Sequence, residues 1–238
     1  MSHRIDQNKT TPKRPRMFRL VLVLILLGIM PQTLQILDAQ TALPHRFYEL
    51  GVHGGVVSSS MVFSPTTSSM DNLQNGYVGL SYRTQKDKYV GLQVELNVVN
   101  RGWEESPETY TYSRTMTYLE LPFLTHLTFE LKRLRWYINA GPSLALMLHE
   151  SSTFSALTPD AERETQHILA VYNKLDYSIL GSTGIEWSMG KVLGHVEARY
   201  NFGFGDIFSN NPSDFFHVSR SQYIALSVGL TYQWFNVK

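Results

Sequence analysis

Cysteine is absent from the 238 residues of this sequence. Its absence excludes disulfide bonds, thiol catalysis, thiolate metal sites and the lipidated cysteine of a lipoprotein. An excess of charge is also missing, because 21 Lys and Arg residues oppose 20 Asp and Glu residues, for a formal net charge of +1. This balance predicts no polyanionic partner and therefore no nucleic-acid binding. No low-complexity linker divides the chain, which favours a single domain.

Only one long hydrophobic run is present, and it lies near the N-terminus. A basic segment, 13–19, precedes the apolar run 20–30, and small residues that suit cleavage follow a few positions later. The run is too short to favour a retained membrane helix. We therefore predict a cleaved signal peptide over residues 1–39 and a mature domain over 40–238. Met17 is an alternative start of the chain.

Apolar and polar residues alternate along eight stretches of the remaining sequence. In the last stretch, for example, Leu226 and Val228 share one face and Ser227 lies on the other. A period of two indicates a β-strand, because successive side chains leave opposite faces of the strand. One face of this stretch stays apolar for about eleven residues, the length that a tilted strand needs to cross a membrane. The predicted strands cover about 46–57, 76–84, 89–102, 114–130, 134–149, 176–188, 193–207 and 220–236.

The connectors between the predicted strands alternate in length, at about 18, 4, 11, 3, 26, 4 and 12 residues. Outer-membrane barrels show this alternation, because tight turns join their strands on the periplasmic side and longer loops join them at the cell surface. A hydrophobic fraction of only 43% is compatible, since alternate residues alone face lipid. We predict an all-β fold: an eight-stranded antiparallel up-and-down transmembrane β-barrel with long extracellular loops and short periplasmic turns.

The predicted inward face gathers charged side chains of both signs. A charge inside a narrow barrel must be paired, because desolvating it alone is costly, and arginine can bridge carboxylates with two hydrogen bonds. Eight strands leave a lumen only wide enough for side chains to fill. We therefore predict a polar, side-chain-filled lumen rather than an open pore. Its structural network comprises Glu49, Arg83, Glu95, Arg101, Glu120, Arg135, Glu186, Glu197 and Arg199.

Catalytic and metal-binding interpretations of the polar residues are weaker. Carboxylates on alternate inward positions are present in any polar lumen, and histidines without an acidic or cysteine cluster are poor ligand candidates. No spacing in the last loop fixes a catalytic triad. We predict no enzyme activity, no cofactor and no metal. The residues considered for such roles are Glu95 with Glu120, Glu186 with Glu197, His126, His195, Ser209, Asp214 and His217.

Two prolines, Pro122 and Pro142, fall inside predicted strands. Each removes one backbone donor from a ladder of hydrogen bonds, and a closed barrel has no free edge at which that loss is harmless. We expect a bulge or a strand end at each proline. Because the apolar parity continues past Pro122, the interruption there should be slight.

Several segments resemble one family of membrane barrels. Segment 118–124, Tyr-Leu-Glu-Leu-Pro-Phe-Leu, is similar to the Tyr-[Leu/Ile]-Glu-[Leu/Ile/Val]-Pro-Leu-Leu signature of the PorT-like outer-membrane β-barrel family of Bacteroidetes. Segments 91–96 and 101–103 resemble the strand that precedes it there. The resemblance implies an outer-membrane location and an eight-stranded barrel in the manner of OmpA and OmpX. It implies no reaction, although some relatives belong to the type IX secretion machinery. Further strand matches are 140–143, 184–186 and 197–200.

Three classes of function remain open. The leading one is a non-enzymatic barrel that acts through its surface loops in adhesion, partner docking or an envelope or secretion complex. The others are a narrow channel or porin and a soluble lipocalin-like barrel. The predicted partners are outer-membrane lipid and, through the loops, a protein of an envelope or secretion complex. The longest predicted loop, 150–175, is open to two interpretations, a short charged helix that binds a partner or a solvated hinge. Its candidate partner-binding residues are Asp160, Glu162, Arg163 and Glu164.

Overall fold

The alternating segments form eight long β-strands and one two-residue strand. In the computed structural model, the described residues are 46–64, 70–85, 87, 89–131, 134–158, 165–209 and 217–236. The predicted signal peptide, 1–39, lies outside these ranges. A four-residue helix, Thr165–Ile168, precedes the seventh strand. The strands are β1 (Arg46–Ser64), β2 (Met70–Asp71), β3 (Leu73–Gln85), β4 (Val90–Glu105), β5 (Tyr110–Leu131), β6 (Leu134–Ala156), β7 (Leu175–Met189), β8 (Val192–Asp206) and β9 (Val218–Asn236).

Hydrogen bonds join the long strands in a closed ring. Each long strand pairs antiparallel with the next one along the chain, and β9 pairs with β1 from Arg46 opposite Asn236 to Ser64 opposite Val218. The ring order is β1-β3-β4-β5-β6-β7-β8-β9, and the short β2 only extends the sheet beside the end of β4. Closure pairs both edges of the sheet. The predicted eight-stranded up-and-down barrel is confirmed.

Side chains are sorted by polarity between the two faces of the barrel wall. Leu226 and Val228 are 56% and 63% exposed on the outside, whereas Ser227 between them is 4% exposed and faces the lumen. The predicted orientation of the two faces is therefore confirmed. A soluble lipocalin-like barrel would place its apolar face inside, so that alternative is wrong. The outward apolar belt includes Leu50, Val52, Val78, Leu80, Leu92, Leu96, Leu127, Leu144, Leu146, Ile179, Ile185, Val196, Ile224 and Leu230.

Aromatic rings mark one boundary of this belt, at the end of the barrel where the tight turns lie. Tyr48 stacks against both Tyr82 and Trp234, with ring centroids 6.5 and 6.2 Å away. Phe129 stacks on Trp136 at 5.3 Å. Rings of this kind occupy the interface between hydrocarbon and water in membrane proteins. We call this end of the barrel the turn end and the opposite end the loop end.

The connectors differ between the two ends as predicted, with one exception. At the turn end they cover residues 86–89, 132–133 and 190–191. In the last of these, Gly190 has a φ of 80°, which glycine adopts without strain. At the loop end the connectors cover residues 65–72, 106–109, 157–174 and 207–217. The exception is 106–109, which is turn-sized although a connector of about 11 residues was predicted there.

Several strands run past their predicted ends at the loop end. β1 ends at Ser64 instead of position 57, β6 ends at Ala156 instead of 149, and β5 begins at Tyr110 instead of 114. The reason is that the polarity of the two faces inverts beyond the belt. Ser60 lies on the outward face of β1 there, whereas Met61 is buried on the inward face. The alternation continues there with its apolar residues inside. The predicted strands therefore end too early, because they were limited to stretches whose apolar residues face outward.

The strands pass through both prolines without a register shift, so the prediction of a bulge or strand end at each is wrong. Around Pro122 the ladder to β4 skips two positions and resumes in the same register, while Pro122 remains paired with β6. Around Pro142 the ladder to β5 skips two positions, while the ladder to β7 is continuous. Each proline therefore interrupts one ladder only. The register shift between β5 and β6 lies instead at Thr117 and Tyr118.

Candidate functional site: the lumen and the mouth of the barrel

Polar side chains fill the lumen from wall to wall. All nine residues of the predicted network face inward; eight of them are at most 5% exposed, and the side chain of Arg135 is 22% exposed. In a ring of eight strands, the strand four positions away lies on the opposite wall. Contacts span that full width at three successive heights between the turn end and the loop end.

Nearest the turn end, Arg83 of β3 lies between two carboxylates. It donates to Glu49 of the neighbouring β1 at 2.9 Å and to Glu186 of the opposite strand β7 at 2.7 Å. Arg135 of β6 pairs with Glu186 at 2.8 Å. Gln93 accepts a hydrogen bond from Nε of Arg83 at 2.7 Å. Two guanidiniums and two carboxylates thus neutralise one another away from bulk water, as buried charges require.

At mid-height, Arg199 of β8 reaches across the lumen to Glu95 of β4. Nη1 of Arg199 and Oε2 of Glu95 are 2.9 Å apart, and Arg199 also pairs with Glu197 at 2.5 Å. Glu95 accepts further hydrogen bonds from Gln93 at 2.6 Å and from Asn97 at 2.9 Å. These additional donors satisfy the remaining lone pairs of the carboxylate, the condition under which a buried ion pair is stable.

Closer to the loop end, Tyr223 of β9 donates to the carboxylate of Glu120 on the opposite strand β5, at 2.9 and 3.2 Å. Arg101 pairs with Asp176 at 3.1 Å. The guanidinium carbon of Arg101 also lies 4.0 Å from the centre of the Tyr118 ring, in cation–π contact. The lumen is thereby bridged across its diameter at a third height.

Glycines in the wall leave room for these long side chains. A β-carbon at Gly79 would lie 1.8 Å from Oδ1 of Asn97, and one at Gly184 would lie 2.4 Å from the hydroxyl of Tyr137. Tyr137 uses that space to donate to Glu197 at 3.0 Å. The two glycines are therefore needed because side chains from other strands occupy the space beside them.

An apolar cluster, which we call the mouth cluster, closes the loop end of the lumen. The ring of Trp103 packs edge-to-face with Phe63 at 5.3 Å and with Phe208 at 6.3 Å between centroids. Leu169 and Val171, from the connector between β6 and β7, pack against the same cluster. Part of the predicted surface loop therefore folds into the mouth. The mouth cluster consists of Met61, Phe63, Trp103, Tyr110, Tyr112, Met116, Tyr118, Ala145, Met147, Ile207 and Phe208.

Two polar contacts are embedded in the mouth cluster. His167 of the short helix stacks on Tyr112, with ring centroids 3.8 Å apart, and lies 3.0 Å from Oε2 of Glu105. Arg114 forms an ion pair with Glu150. His167 therefore attaches the connector after β6 to the inner face of the strands.

The histidines considered as ligands or bases lie among structural partners. His126 is hydrogen-bonded to Asn139 and to Thr128, each at 2.7 Å. The rings of His195 and His53 lie 6.5 Å apart. Within the described ranges, no group of three or more His, Asp and Glu side chains is arranged to hold a metal ion. No described helix is both long and apolar enough to cross a membrane.

Some candidate residues lie where the structure describes nothing. Asp214, considered for a triad, is one of them, whereas Ser209 and His217 are described. His217 donates its backbone N–H to the carbonyl of Ser64 at 2.8 Å. The helix expected in the longest loop covers Thr165–Ile168 in the described part of the chain. The four predicted partner-binding residues, which also lie outside the described ranges, are Asp160, Glu162, Arg163 and Glu164.

The sequence interpretation missed three charged residues of the interior. Asp176 and Arg114 both fall on the inward parity of their predicted strands, so the period-two pattern was sufficient to find them. Glu105 lies beyond the predicted end of β4, although it continues the inward parity of Arg101, and only the early end given to that strand left it out. Only the structure shows that Asp176 is the partner of Arg101.

Comparison with known proteins supports the interpretation of the fold. The profile of the family described as outer membrane protein beta-barrel domain matches residues 38–209. The chain belongs to this family. The barrel is therefore an integral outer-membrane protein, with its loop end extracellular and its turn end periplasmic. No curated protein matches the sequence.

Solved structures that resemble this barrel are outer-membrane proteins of distant sequence. OprG from Pseudomonas aeruginosa is 13% identical with a TM-score of 0.44, over 80% of this chain and 96% of that one. Neisserial surface protein A (NspA) is 13% identical with a TM-score of 0.44, over 78% and 96%. Ail, the attachment invasion locus protein of Yersinia pestis, is 14% identical with a TM-score of 0.40, over 78% and 98%.

Proposed function

We propose that this outer-membrane barrel is a non-enzymatic protein that acts through its extracellular end, by docking a partner protein of an envelope or secretion complex. The observation that carries the proposal is the lumen, which hydrogen-bonded contacts bridge across the full diameter at three heights. A lumen filled in this way is a polar core and leaves little room for solute passage. The extracellular loops then remain as the surface for function.

The extracellular end also presents the kind of side chain that partners bind. Ile168 and Tyr172 are 70% and 72% exposed, although Leu169 and Val171 of the same connector pack into the mouth cluster. Apolar side chains on a connector that is fixed in place are candidate anchors for another protein. The resemblance to PorT-like barrels supports a secretion complex as the setting, because some of those relatives belong to type IX secretion machinery. The predicted partner-binding residues belong to the same connector in the sequence and are part of the proposal; they are Asp160, Glu162, Arg163 and Glu164.

A complementation experiment tests this proposal. In a strain that lacks the protein, the double variant Ile168→Asp with Tyr172→Asp should fail to restore the lost phenotype, because the charges replace the apolar anchors. The purified double variant should still migrate differently before and after boiling, as a closed barrel does. Ser227→Thr, which alters only the lumen, is the control and should complement fully.

Two results would contradict the proposal. Full complementation by the double variant would show that these anchors are not needed for function. Steady single-channel conductance of the purified wild-type protein in planar bilayers would favour the channel alternative instead, because a bridged lumen should conduct no ions.

A further inference from the structure

The outward apolar surface reaches higher on β6 and β7 than on β1, β5 and β9. At the turn end each of these five strands carries an outward aromatic residue, which we call its girdle ring. The girdle rings are Tyr48, Phe129, Trp136, Trp187 and Trp234, on β1, β5, β6, β7 and β9 respectively. Twelve residues further towards the loop end, the outward residue of β1, β5 and β9 is polar, being Ser60, Thr117 and Gln222. On β6 and β7 the residue at that distance is Leu148 and Leu175.

The outward apolar stretch of β6 and β7 is longer than the apolar band of an outer membrane. Twelve residues of a strand tilted by about 35–45° rise by about 30 Å, whereas the apolar band is about 25 Å tall. Leu148 and Leu175 therefore lie above the hydrocarbon when the girdle rings of their strands lie at its periplasmic boundary. A tilt of the barrel does not remove the mismatch, because lowering the two leucines would push Trp136 and Trp187 into the periplasm.

The two leucines belong to a larger exposed patch that extends over three strands. In the ladder between β6 and β7, Leu175 lies opposite Leu146. The ring of Tyr177, the next outward residue of β7, stacks on Phe204 of β8, with centroids 6.3 Å apart. The patch, which we call the β6–β8 patch, consists of Leu146, Leu148, Leu175, Tyr177 and Phe204, and these residues are 41–62% exposed.

The opposite wall of the barrel has no comparable patch among its described residues. β1 lies four positions from β6 in the ring. Its outward face at the loop end carries one apolar residue, Val62, between Ser60 and Ser64, and Val62 lies opposite Arg220 of β9. A single exposed apolar side chain is ordinary on a protein surface, whereas a contiguous patch marks an interaction site. The asymmetry therefore assigns an interaction to one side of the barrel.

The surface that covers the β6–β8 patch has to be embedded in the same membrane. Every outward residue of β6 from Trp136 to Leu148 is apolar, so the patch continues the lipid belt without a polar interruption. A covering surface therefore has to extend from the hydrocarbon to the same height above it. A second copy of this chain meets both conditions, because copies of one orientation are related by an axis along the membrane normal. Such an axis keeps each residue at its own height and brings the patch of one copy against the patch of the other.

We propose that two copies of this chain pair side by side through β6, β7 and β8. A contact strip three strands wide measures about 14 Å across and, over twelve residues, about 40 Å along the strands. Each copy then contributes about 560 Å², and the total of about 1,100 Å² reaches the size of a specific interface. The pairing goes beyond the docking function and uses residues other than Ile168 and Tyr172.

Energy transfer between labelled copies of the full chain in lipid vesicles tests the pairing. The chain has no cysteine, so Lys191→Cys at the turn end, where Lys191 is exposed, gives one site for a donor or an acceptor dye. We expect transfer between the two labelled populations to persist on dilution with lipid. Leu148→Asn with Leu175→Asn should raise the dissociation constant at least about tenfold, because both leucines lose apolar contact. Val62→Asn on the opposite wall is the matched control and should change it less than about twofold.

Cross-linking locates the contact without altering the leucine pair as a whole. Leu175→Cys should form covalent dimers with a short bismaleimide in vesicles, and Val62→Cys should not. Each variant should keep the heat-modifiable migration of a closed barrel, since both positions lie above the hydrocarbon. If the double asparagine variant does not fold, the two single-cysteine proteins still decide the matter.

Three results would overturn the pairing. Energy transfer of the wild type at the level of random encounters would show that the chain is a monomer, with lipid or a different membrane protein against the patch. Unchanged transfer in the double asparagine variant, or equal cross-linking at positions 62 and 175, would show that copies meet through another face. The docking proposal is tested separately, because the Ile168 and Tyr172 variant keeps the β6–β8 patch and should still pair.

Discussion

Arg199 and Glu95 lie on opposite walls of the barrel, and the closest atoms of their ion pair are 2.9 Å apart. The strands that carry them, β8 and β4, are four positions apart in either direction around the ring. This contact can form only after the barrel has closed, because no pair of neighbouring strands contains both residues. The side chains that block the lumen are thus also the ones that join its opposite walls.

Replacing Arg199 by methionine should destabilise the barrel. Removal of one partner leaves Glu95 and Glu197 buried with unbalanced charge, which typically costs about 3–5 kcal/mol. The free energy of unfolding, measured by urea titration in detergent micelles, should fall by that order. Arg220→Met is the control, because Arg220 has a 39% exposed side chain and lies 3.9 Å from Asp206. Equal losses of unfolding free energy for the two variants would show that the central ion pair contributes no more to stability than the exposed contact of Arg220.

Adding a methyl group at Gly79 should also weaken the fold. In Gly79→Ala, the new carbon would lie 1.8 Å from Oδ1 of Asn97. The side chain of Asn97, which donates a hydrogen bond to Glu95, must therefore move. Overpacking of this kind costs about 1–3 kcal/mol. Gly181→Ala is the matched control, because no atom lies within 4 Å of a β-carbon there. The midpoint of heat-dependent migration on gels should fall for the first variant only, and an unchanged midpoint would contradict the crowding argument.

Parity along the sequence was sufficient to predict the transmembrane part of the fold. It assigned Leu226 to the outside and Ser227 to the lumen, because the lipid belt is uniformly apolar and each strand crosses it with a fixed period. The pattern failed where β1 and β6 leave the belt, since Ser60 and Met61 follow the same alternation with inverted polarity. Partners across the lumen, such as Arg101 and Asp176, depend on strand order and tilt, which no local pattern encodes.

A charge on the outward face of β9 should prevent stable insertion. Leu226→Arg or Val228→Arg places a guanidinium in the lipid belt near the middle of the membrane, at a cost of about 2–4 kcal/mol. Ser227→Thr adds a methyl group inside the lumen and should reduce insertion only slightly. The measurement is the fraction of protein that reaches the outer membrane in a heat-modifiable form. If both arginine variants assemble normally and the threonine variant does not, the assignment of the outward and inward faces is reversed.

Substitution of His167 should release the connector that closes the mouth while leaving the barrel intact. His167→Ala removes the ring that stacks on Tyr112 and the contact with Glu105, which is fully buried. The loss of one buried polar contact costs about 1–3 kcal/mol, which is enough to raise the open population of a locally held segment several-fold or more. The neighbouring residue Ile168 is 70% exposed, so Ile168→Ala is the matched control.

Limited proteolysis of purified protein in micelles measures this opening. Cleavage within 157–174 should be faster in His167→Ala than in wild type, whereas Ile168→Ala should be cleaved at the wild-type rate. Heat-modifiable migration of the strands should be the same in all three proteins, because the ring of strands closes without this contact. Equal cleavage rates would show that the packing of Leu169 and Val171 against the mouth cluster is sufficient to hold the connector. Loss of heat-modifiable migration would show instead that the mouth cluster is part of the barrel core and not a closure added at its end.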